Sequence, residues 1–279
     1  GDHIDKAISA EEKAQGKVLL CCTTAKSDLK INVPGFNPNA LPVRTLPVRI
    51  ETIEIKHDVA LLRLALPKAP SFAFYAGQYI DLLLPGNISR SYSIANSPDQ
   101  EGVLELHIRK RENGVCSEMI FGADPKIKEK GIVRVKGPLG TFTLQKDSDK
   151  PIVLLATGTG YAPIRSILLD LTHQNSKRPV HFYWGARQQE NLYALEEAEA
   201  LIGRLKNAKF SPVLSKSDSD WKGENGYVQN VAAQNYPDLS QYEVYACGSV
   251  AMIEGAQSLL TQKCALPKDA FFCDAFSPA

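Results

Sequence analysis

Arg90-Ser91-Tyr92-Ser93 follows, after three intervening residues, the strand-like run GQYIDLLLPG (Gly77 to Gly86) and places a fixed cation, an aromatic plane and two hydroxyls within four residues. In an extended segment side chains alternate sides, so Arg90 and Tyr92 share one face and Ser91 and Ser93 the other. A guanidinium pairs with phosphate oxygens, and a flat ring packs on a planar heterocycle. A flavin nucleotide carries both.

Further along, Gly158-Thr159-Gly160-Tyr161-Ala162-Pro163 joins an apolar run, PIVLLAT, to a helical pattern. Two glycines let a backbone approach a ligand, Pro163 suits the first helical position, and the helix start offers free amides to a pyrophosphate. The motif departs from G-x-G-x-x-G, since proline stands in place of the third glycine. Cys247-Gly248-Ser249 closes the strand-like EVYA, with Ser249 equally suited to cap the helix that follows. Arg187 closes VHFYWGA, and Ser215-Lys216 closes FSPVL. Asn113-Gly114-Val115-Cys116-Ser117 precedes a short helical candidate, Ser117 to Phe121, either as an anion site or as a simple N-cap at Ser117.

Other chemistries lack their residues. The five histidines (3, 57, 107, 173, 181) stand at no metal-ligand spacing, and the six cysteines (21, 22, 116, 247, 264, 273) form no C-x2-C pair. No nucleophile elbow or paired-carboxylate arrangement is present. With 32 Lys plus Arg against 31 Asp plus Glu, the net charge of +1 does not fit a nucleic-acid partner. Apolar runs fall short of a membrane span and no signal-peptide pattern opens the chain, so a cytoplasmic location is expected. A monomer is expected.

The elements that must position these residues change in texture along the chain. Ser9 to Gln15 favours helix, VLLCC (Val18 to Cys22) reads as a short buried strand, and Val33 to Pro42 as a linker. Six strand patterns with one helix then predict a six-stranded antiparallel barrel over residues 44–147. From residue 148 to 279 strands alternate with helices, which predicts a parallel-sheet α/β domain whose ligands bind outside the strand ends.

Taken in order, Arg90-Ser-Tyr-Ser, LELHIR (Leu104 to Arg109), Gly137-Pro-Leu-Gly140, Gly158 to Pro163 and Cys247-Gly248 resemble the ferredoxin-NADP reductase superfamily over residues 44–279. The likeness is nearest to NADH-dependent flavin reductases and to the reductase components of oxygenases and of CDP-6-deoxyhexose dehydrases. It implies that FAD takes hydride from NADH, or from NADPH, and that electrons pass to an iron-sulfur centre or to a partner oxygenase or dehydrase. A free-flavin reductase is the alternative, and a non-catalytic nucleotide sensor a more distant one.

By the same resemblance Arg90 would hold a flavin phosphate, Tyr92 would pack on the isoalloxazine, and the Ser93 hydroxyl would approach flavin N5. His107, Ile108 and Arg109 would line the ribityl and adenosine portion, with Gly114, Val115, Cys116 and Ser117 at the pyrophosphate. Gly158, Thr159, Gly160 and Pro163 would receive the nicotinamide nucleotide, with Arg187 and Ser215 toward its ribose end. Cys247 and Gly248 would flank the nicotinamide, with Asp274 and Phe276 near the flavin. Ser93, Cys247 and Asp274 are thereby the catalytic candidates. VLLCCTTAKSD (Val18 to Asp28) is similar to the end of a plant-type [2Fe-2S] ferredoxin domain, with Cys21 at the last ligand position. One thiolate cannot hold such a cluster, so residues 1–43 are expected to be the remnant and linker of a ferredoxin domain present in a longer parent.

Overall fold

A computed structural model of the chain describes residues 10–18, 23–24, 26–28 and 41–276. It divides into two compact units, 1–40 and 41–279. In the first, α1 (Ala10–Ala14) falls within the helix-favouring stretch. Of the expected buried strand at 18–22 only Val18 is described, and it is exposed; Cys21 and most of the expected linker lie outside the described residues.

The second unit opens with β1 (Arg44–Lys56), β2 (Val59–Ala65), β3 (Tyr79–Leu84), β4 (Ile88–Ser93), β5 (Val103–Arg109), α2 (Val115–Phe121) and β6 (Ile132–Leu139). Alternation drives the curl: Leu46, Val48 and Ile50 of β1 point inward while the residues between them are exposed. The strands pair antiparallel in the order β4-β3-β6-β1-β2-β5. The two edges meet at a bridge between Ile94 and Leu106, which closes the sheet into the expected barrel. Buried Cys116 and Ile120 of α2 join its core.

The α/β half comprises β7 (Ile152–Thr157), α3 (Tyr161–His173), β8 (Val180–Ala186), α4 (Leu195–Ile202), β9 (Ala208–Leu214), β10 (Glu224–Asn225), α5 (Val228–Asn235), β11 (Glu243–Ser249), α6 (Val250–Lys263) and β12 (Phe271–Phe276). Its sheet runs in the order β10-β9-β8-β7-β11-β12, with every adjacent pair parallel. The near-continuous apolar runs of β7, β8 and β11 follow from burial on both faces. The core residues of α3 and α4 pack on one side of the sheet and those of α5 and α6 on the other.

Two expectations of local structure are corrected. Pro163 is the third residue of α3, because Gly158–Gly160 form a 3-10 turn and the helix starts at Tyr161; its missing N–H still falls in the first turn, where it costs nothing. Helix α2 starts at Val115, with Gly114 as its N-cap and no side-chain cap, so Ser117 lies inside the first turn. At the chain end Phe271–Phe276 form the edge strand β12 beside β11.

Candidate active site

Because all the α/β strands are parallel, their carboxyl ends share one rim. Gly158 follows β7, Arg187 follows β8, Ser215 follows β9, Cys247 and Gly248 lie near the end of β11, and Asp274 and Phe276 near the end of β12. The sheet order reverses direction between β7 and β11, where doubly wound sheets hold their ligands. Gly158–Gly160 and Cys247–Gly248 sit at that switch point. The β8–β9 ladder extends past both strands, since Ser215 N–H donates to the Ala186 carbonyl (3.0 Å) and Lys216 N–H to the Arg187 carbonyl (2.9 Å). Arg187 and Ser215 therefore stand side by side, and both are exposed.

The glycines do two different jobs. Gly158 has φ +54, in the left-handed region, and an added Cβ would lie 3.2 Å from an Arg109 guanidinium nitrogen. Trp184 Nε1–H donates to its carbonyl (3.0 Å), and Trp184 stacks on Tyr161 with ring centroids 4.2 Å apart. A Cβ on Gly160 would collide with the Cys247 carbonyl oxygen. Gly160 thus serves the close approach of the protein's own backbone, which fastens the turn to β11. Ser249 is the N-cap of α6: its hydroxyl accepts from Met252 N–H (3.3 Å), and its own N–H donates to Thr157 Oγ1 (3.3 Å).

Asp274 is the β12 neighbour of Cys247. Burial, then the Asp274 charge, push the fully buried Cys247 thiol well above its ordinary range. Burial likewise raises the Asp274 carboxyl. From the barrel side, Tyr79 lies within electrostatic reach of Asp274, its hydroxyl raised by burial, then by Asp81 and Asp274. Tyr79 is the cross-strand partner of Ser93. Ser93 is buried, and among the described residues no hydrogen bond engages its hydroxyl.

On β4 the side chains alternate. Arg90 and Tyr92 pair with Leu82 and Ile80 and share their face; Ser91 and Ser93 pair with Asp81 and Tyr79 on the other. Ser91 Oγ–H donates to Asp81 Oδ1 (2.7 Å). Burial, then contact with Cys116, push the Tyr92 hydroxyl up, while the positive charges of Arg90 and Arg111 act to lower it. Arg90 spends one guanidinium nitrogen on the Ser89 carbonyl (2.8 Å). Two guanidiniums beside an aromatic ring and a helix start form a donor set that suits a phosphate-bearing planar cofactor. Arg111 was not singled out in the sequence, although it stands two residues before Asn113.

Residues of β5 serve the junction between the two halves. His107 Nδ1 meets Tyr193 OH (2.8 Å) and Nε2 meets Glu105 Oε1 (3.1 Å), so the expected ribityl contact has no ring nitrogen left to it. Burial lowers its basicity. Arg109 is paired with Asp58 (3.2 Å) and reaches the Asn191 carbonyl (3.4 Å), while Ile108 lies in the barrel core. At the α2 start Cys116 and Ser117 are buried, and Ser117 Oγ accepts from Arg111 N–H (2.8 Å). Arg165 of α3 forms ion pairs with Glu105 (3.3 Å) and Glu197 (2.6 Å). Burial raises the Glu105 carboxyl, but the His107 hydrogen bond and the Arg165 charge outweigh it and hold it below the ordinary range.

Comparisons with known proteins agree with the two-part fold. Residues 48–144 match the oxidoreductase FAD-binding domain and residues 154–258 the oxidoreductase NAD-binding domain. The chain is 41% identical over 275 residues to a Yersinia pestis CDP-6-deoxy-L-threo-D-glycero-4-hexulose-3-dehydrase reductase, covering 98% of this chain and 81% of that protein. It belongs to this family of FAD- and NAD-binding flavoprotein reductases. A second member, the reductase component of Gordonia propane 2-monooxygenase, is 34% identical, covering 100% of this chain and 82% of its own length. Among solved structures, Amycolatopsis cytochrome P450 reductase GcoB superimposes with a TM-score of 0.81 at 28% identity, over 100% of this chain and 84% of its own. The protein is therefore an NAD(P)H-dependent flavoprotein reductase with a ferredoxin-reductase-like fold. Among the described residues no helix is long and apolar enough to cross a membrane, and no three His, Cys, Asp or Glu side chains gather as a metal site.

Proposed function

We propose that this reductase takes hydride from NADH at the cleft where β4 of the barrel faces the ends of β7, β11 and β12, and delivers electrons singly to an iron-sulfur centre or a partner dehydrase or oxygenase. FAD supplies the chemistry that joins a two-electron donor to one-electron acceptors. The observation that carries the reading is the pairing of Tyr79 with Ser93 and of Asp274 with Cys247, with Tyr79 within electrostatic reach of Asp274.

In this reading the barrel, residues 44–147, binds the flavin and residues 148–279 bind the dinucleotide. Arg90, with Arg111, holds a flavin phosphate, and Tyr92 packs on the ring system. Ser93 keeps its hydroxyl for flavin N5, as its lack of a protein partner allows. The amides of Gly114 to Ser117 and the backbone of Ile108 border the remainder of the cofactor. Gly158 to Pro163 take the nicotinamide nucleotide, Arg187 and Ser215 its ribose end, and Cys247 closes over the nicotinamide. Fully buried Cys247 and half-buried Asp274 exclude water beside the reacting rings, and burial raises the proton affinity of both. The ferredoxin remnant at Cys21 rests on its sequence resemblance alone.

Stopped-flow mixing of the flavin-loaded protein with NADH and with NADPH tests this. Flavin absorbance is expected to bleach faster with NADH, and cytochrome c and ferricyanide to accept the electrons. Absence of bleaching at saturating dinucleotide ends the reading. Flavin that elutes separately on gel filtration converts it to the free-flavin reductase.

A further inference from the structure

Two side chains of α3 tie the dinucleotide turn to the strand that carries Ser93. Arg165 Nη1–H donates to the Ala95 carbonyl (2.7 Å), and Ser166 Oγ–H donates to the Asn96 carbonyl (2.6 Å). Ala95 lies two residues beyond Ser93, and Arg165 five residues beyond Gly160. The Arg165 guanidinium is held from two elements, since Glu105 of β5 and Glu197 of α4 both pair with it, and its side chain is only 14% exposed. Ser166 is fully buried, and so is Asn96, whose side chain is bonded to the Val103 carbonyl and the Glu105 amide. The link therefore joins two stiff segments: a β-strand end pinned to β5, and a helix that follows directly on the Gly158–Gly160 turn.

Neither side chain has been placed against a reacting group. A hydride moves only when donor and acceptor stand about 3–3.5 Å apart, and a shift of about 1 Å can cost on the order of a hundredfold in rate. We propose that Arg165 and Ser166 are positioning residues for hydride transfer, which set the distance between the nicotinamide held at Gly158–Gly160 and the flavin held at Arg90–Ser93. This rests on the hydride-transfer reading above. Removing one link lets α3 slide against β4 while both cofactor sites keep their own contacts. The loss then falls on the transfer rate and spares binding.

The test uses the full chain with flavin bound, as Ser166→Ala, Arg165→Met and Arg165→Lys. In stopped-flow titrations with NADH, Ser166→Ala and Arg165→Met are expected to lower the limiting bleaching rate about tenfold or more. The NADH dissociation constant should stay within about twofold of wild type. Arg165→Lys, which keeps the charge but loses the planar fork, should recover part of the rate. Hydrogen-deuterium exchange on the flavin-free protein gives an independent arm. Amides of residues 94–97 and 158–166 should exchange faster in the variants, with those of β1 and β2 unchanged. An unchanged limiting rate in Ser166→Ala and Arg165→Met overturns the proposal. So does a rate loss accompanied by equal loss of protection throughout the barrel, which marks general destabilisation. If wild type itself does not bleach with NADH, the hydride-transfer reading fails, and the exchange arm alone decides whether the link exists.

Discussion

Asp274 and Cys247 are neighbours across the parallel β11–β12 ladder, both drawn up in proton affinity by burial. The thiolate is the form that attacks alkylating reagents, so Cys247 should be inert in the folded protein. Cys273, one residue earlier on β12, is exposed. Among the described cysteines, iodoacetamide at pH 8 is expected to label Cys273 first and to leave Cys247, Cys116 and Cys264 unmodified until denaturant is added. Peptide mass spectrometry reads the order, and early labelling of Cys247 would contradict its enclosure.

The Gly160–Cys247 contact gives a second expectation. A Cβ at Gly160 cannot coexist with the Cys247 carbonyl where it stands, so Gly160→Ala must push the turn away from β11. Forced overpacking of this kind costs about 1–3 kcal/mol. The variant should melt lower, and its KM for NADH should rise because the displaced turn is the proposed dinucleotide site. Unchanged melting temperature and KM together would show that the turn yields freely.

On the flavin side, Arg90→Ala should lose more cofactor than Tyr92→Ala. A charge-assisted hydrogen bond contributes about 1.5–3 kcal/mol, or roughly tenfold to a hundredfold in affinity. A ring that packs on one face of the cofactor contributes less beyond its buried area. Flavin content after gel filtration measures both. Equal retention in the two variants and wild type would remove the Arg90–Tyr92 site.

Much of this was legible in the sequence because it depends on local pattern. The barrel strands follow from period-two alternation, and the expected alternation of strands with helices from residue 148 onward returns as a parallel sheet with helices on both sides. What escaped was set by distant partners. Nothing near Phe271–Phe276 announces that they add to β11, because an edge strand is defined by its neighbour. Gly160 looked like a ligand-facing glycine, and only the β11 backbone against it shows otherwise. Ser117 resembled a cap until Arg111 N–H turned out to occupy its hydroxyl. His107 resembled a ligand contact until Tyr193, 86 residues away, took its Nδ1. Polar residues that join the two halves carry no periodic signature, so Glu105, Arg165, Tyr193 and Glu197 were invisible as a group.

The two buried histidines set an acid dependence of stability. His181 packs its ring on Tyr183 at 4.1 Å between centroids; its Nδ1 meets Tyr236 OH (2.9 Å) and its Nε2 meets Ser211 Oγ (3.0 Å). Burial, then the Lys209 charge, push its pKa down to about 4, and burial lowers His107 as well. In the unfolded chain each takes up a proton near pH 6.5, whereas the folded protein resists protonation until lower pH. The unfolded state thus binds more protons below about pH 6.5, and stability is lost as pH falls from there toward about 4. Urea midpoints measured from pH 7.5 to pH 5 should decline accordingly. His181→Gln, which cannot take up the proton, should start less stable at pH 7.5 and decline less steeply, with His107 supplying the remaining slope. A variant whose midpoint falls as steeply as wild type would show that His181 does not govern this dependence.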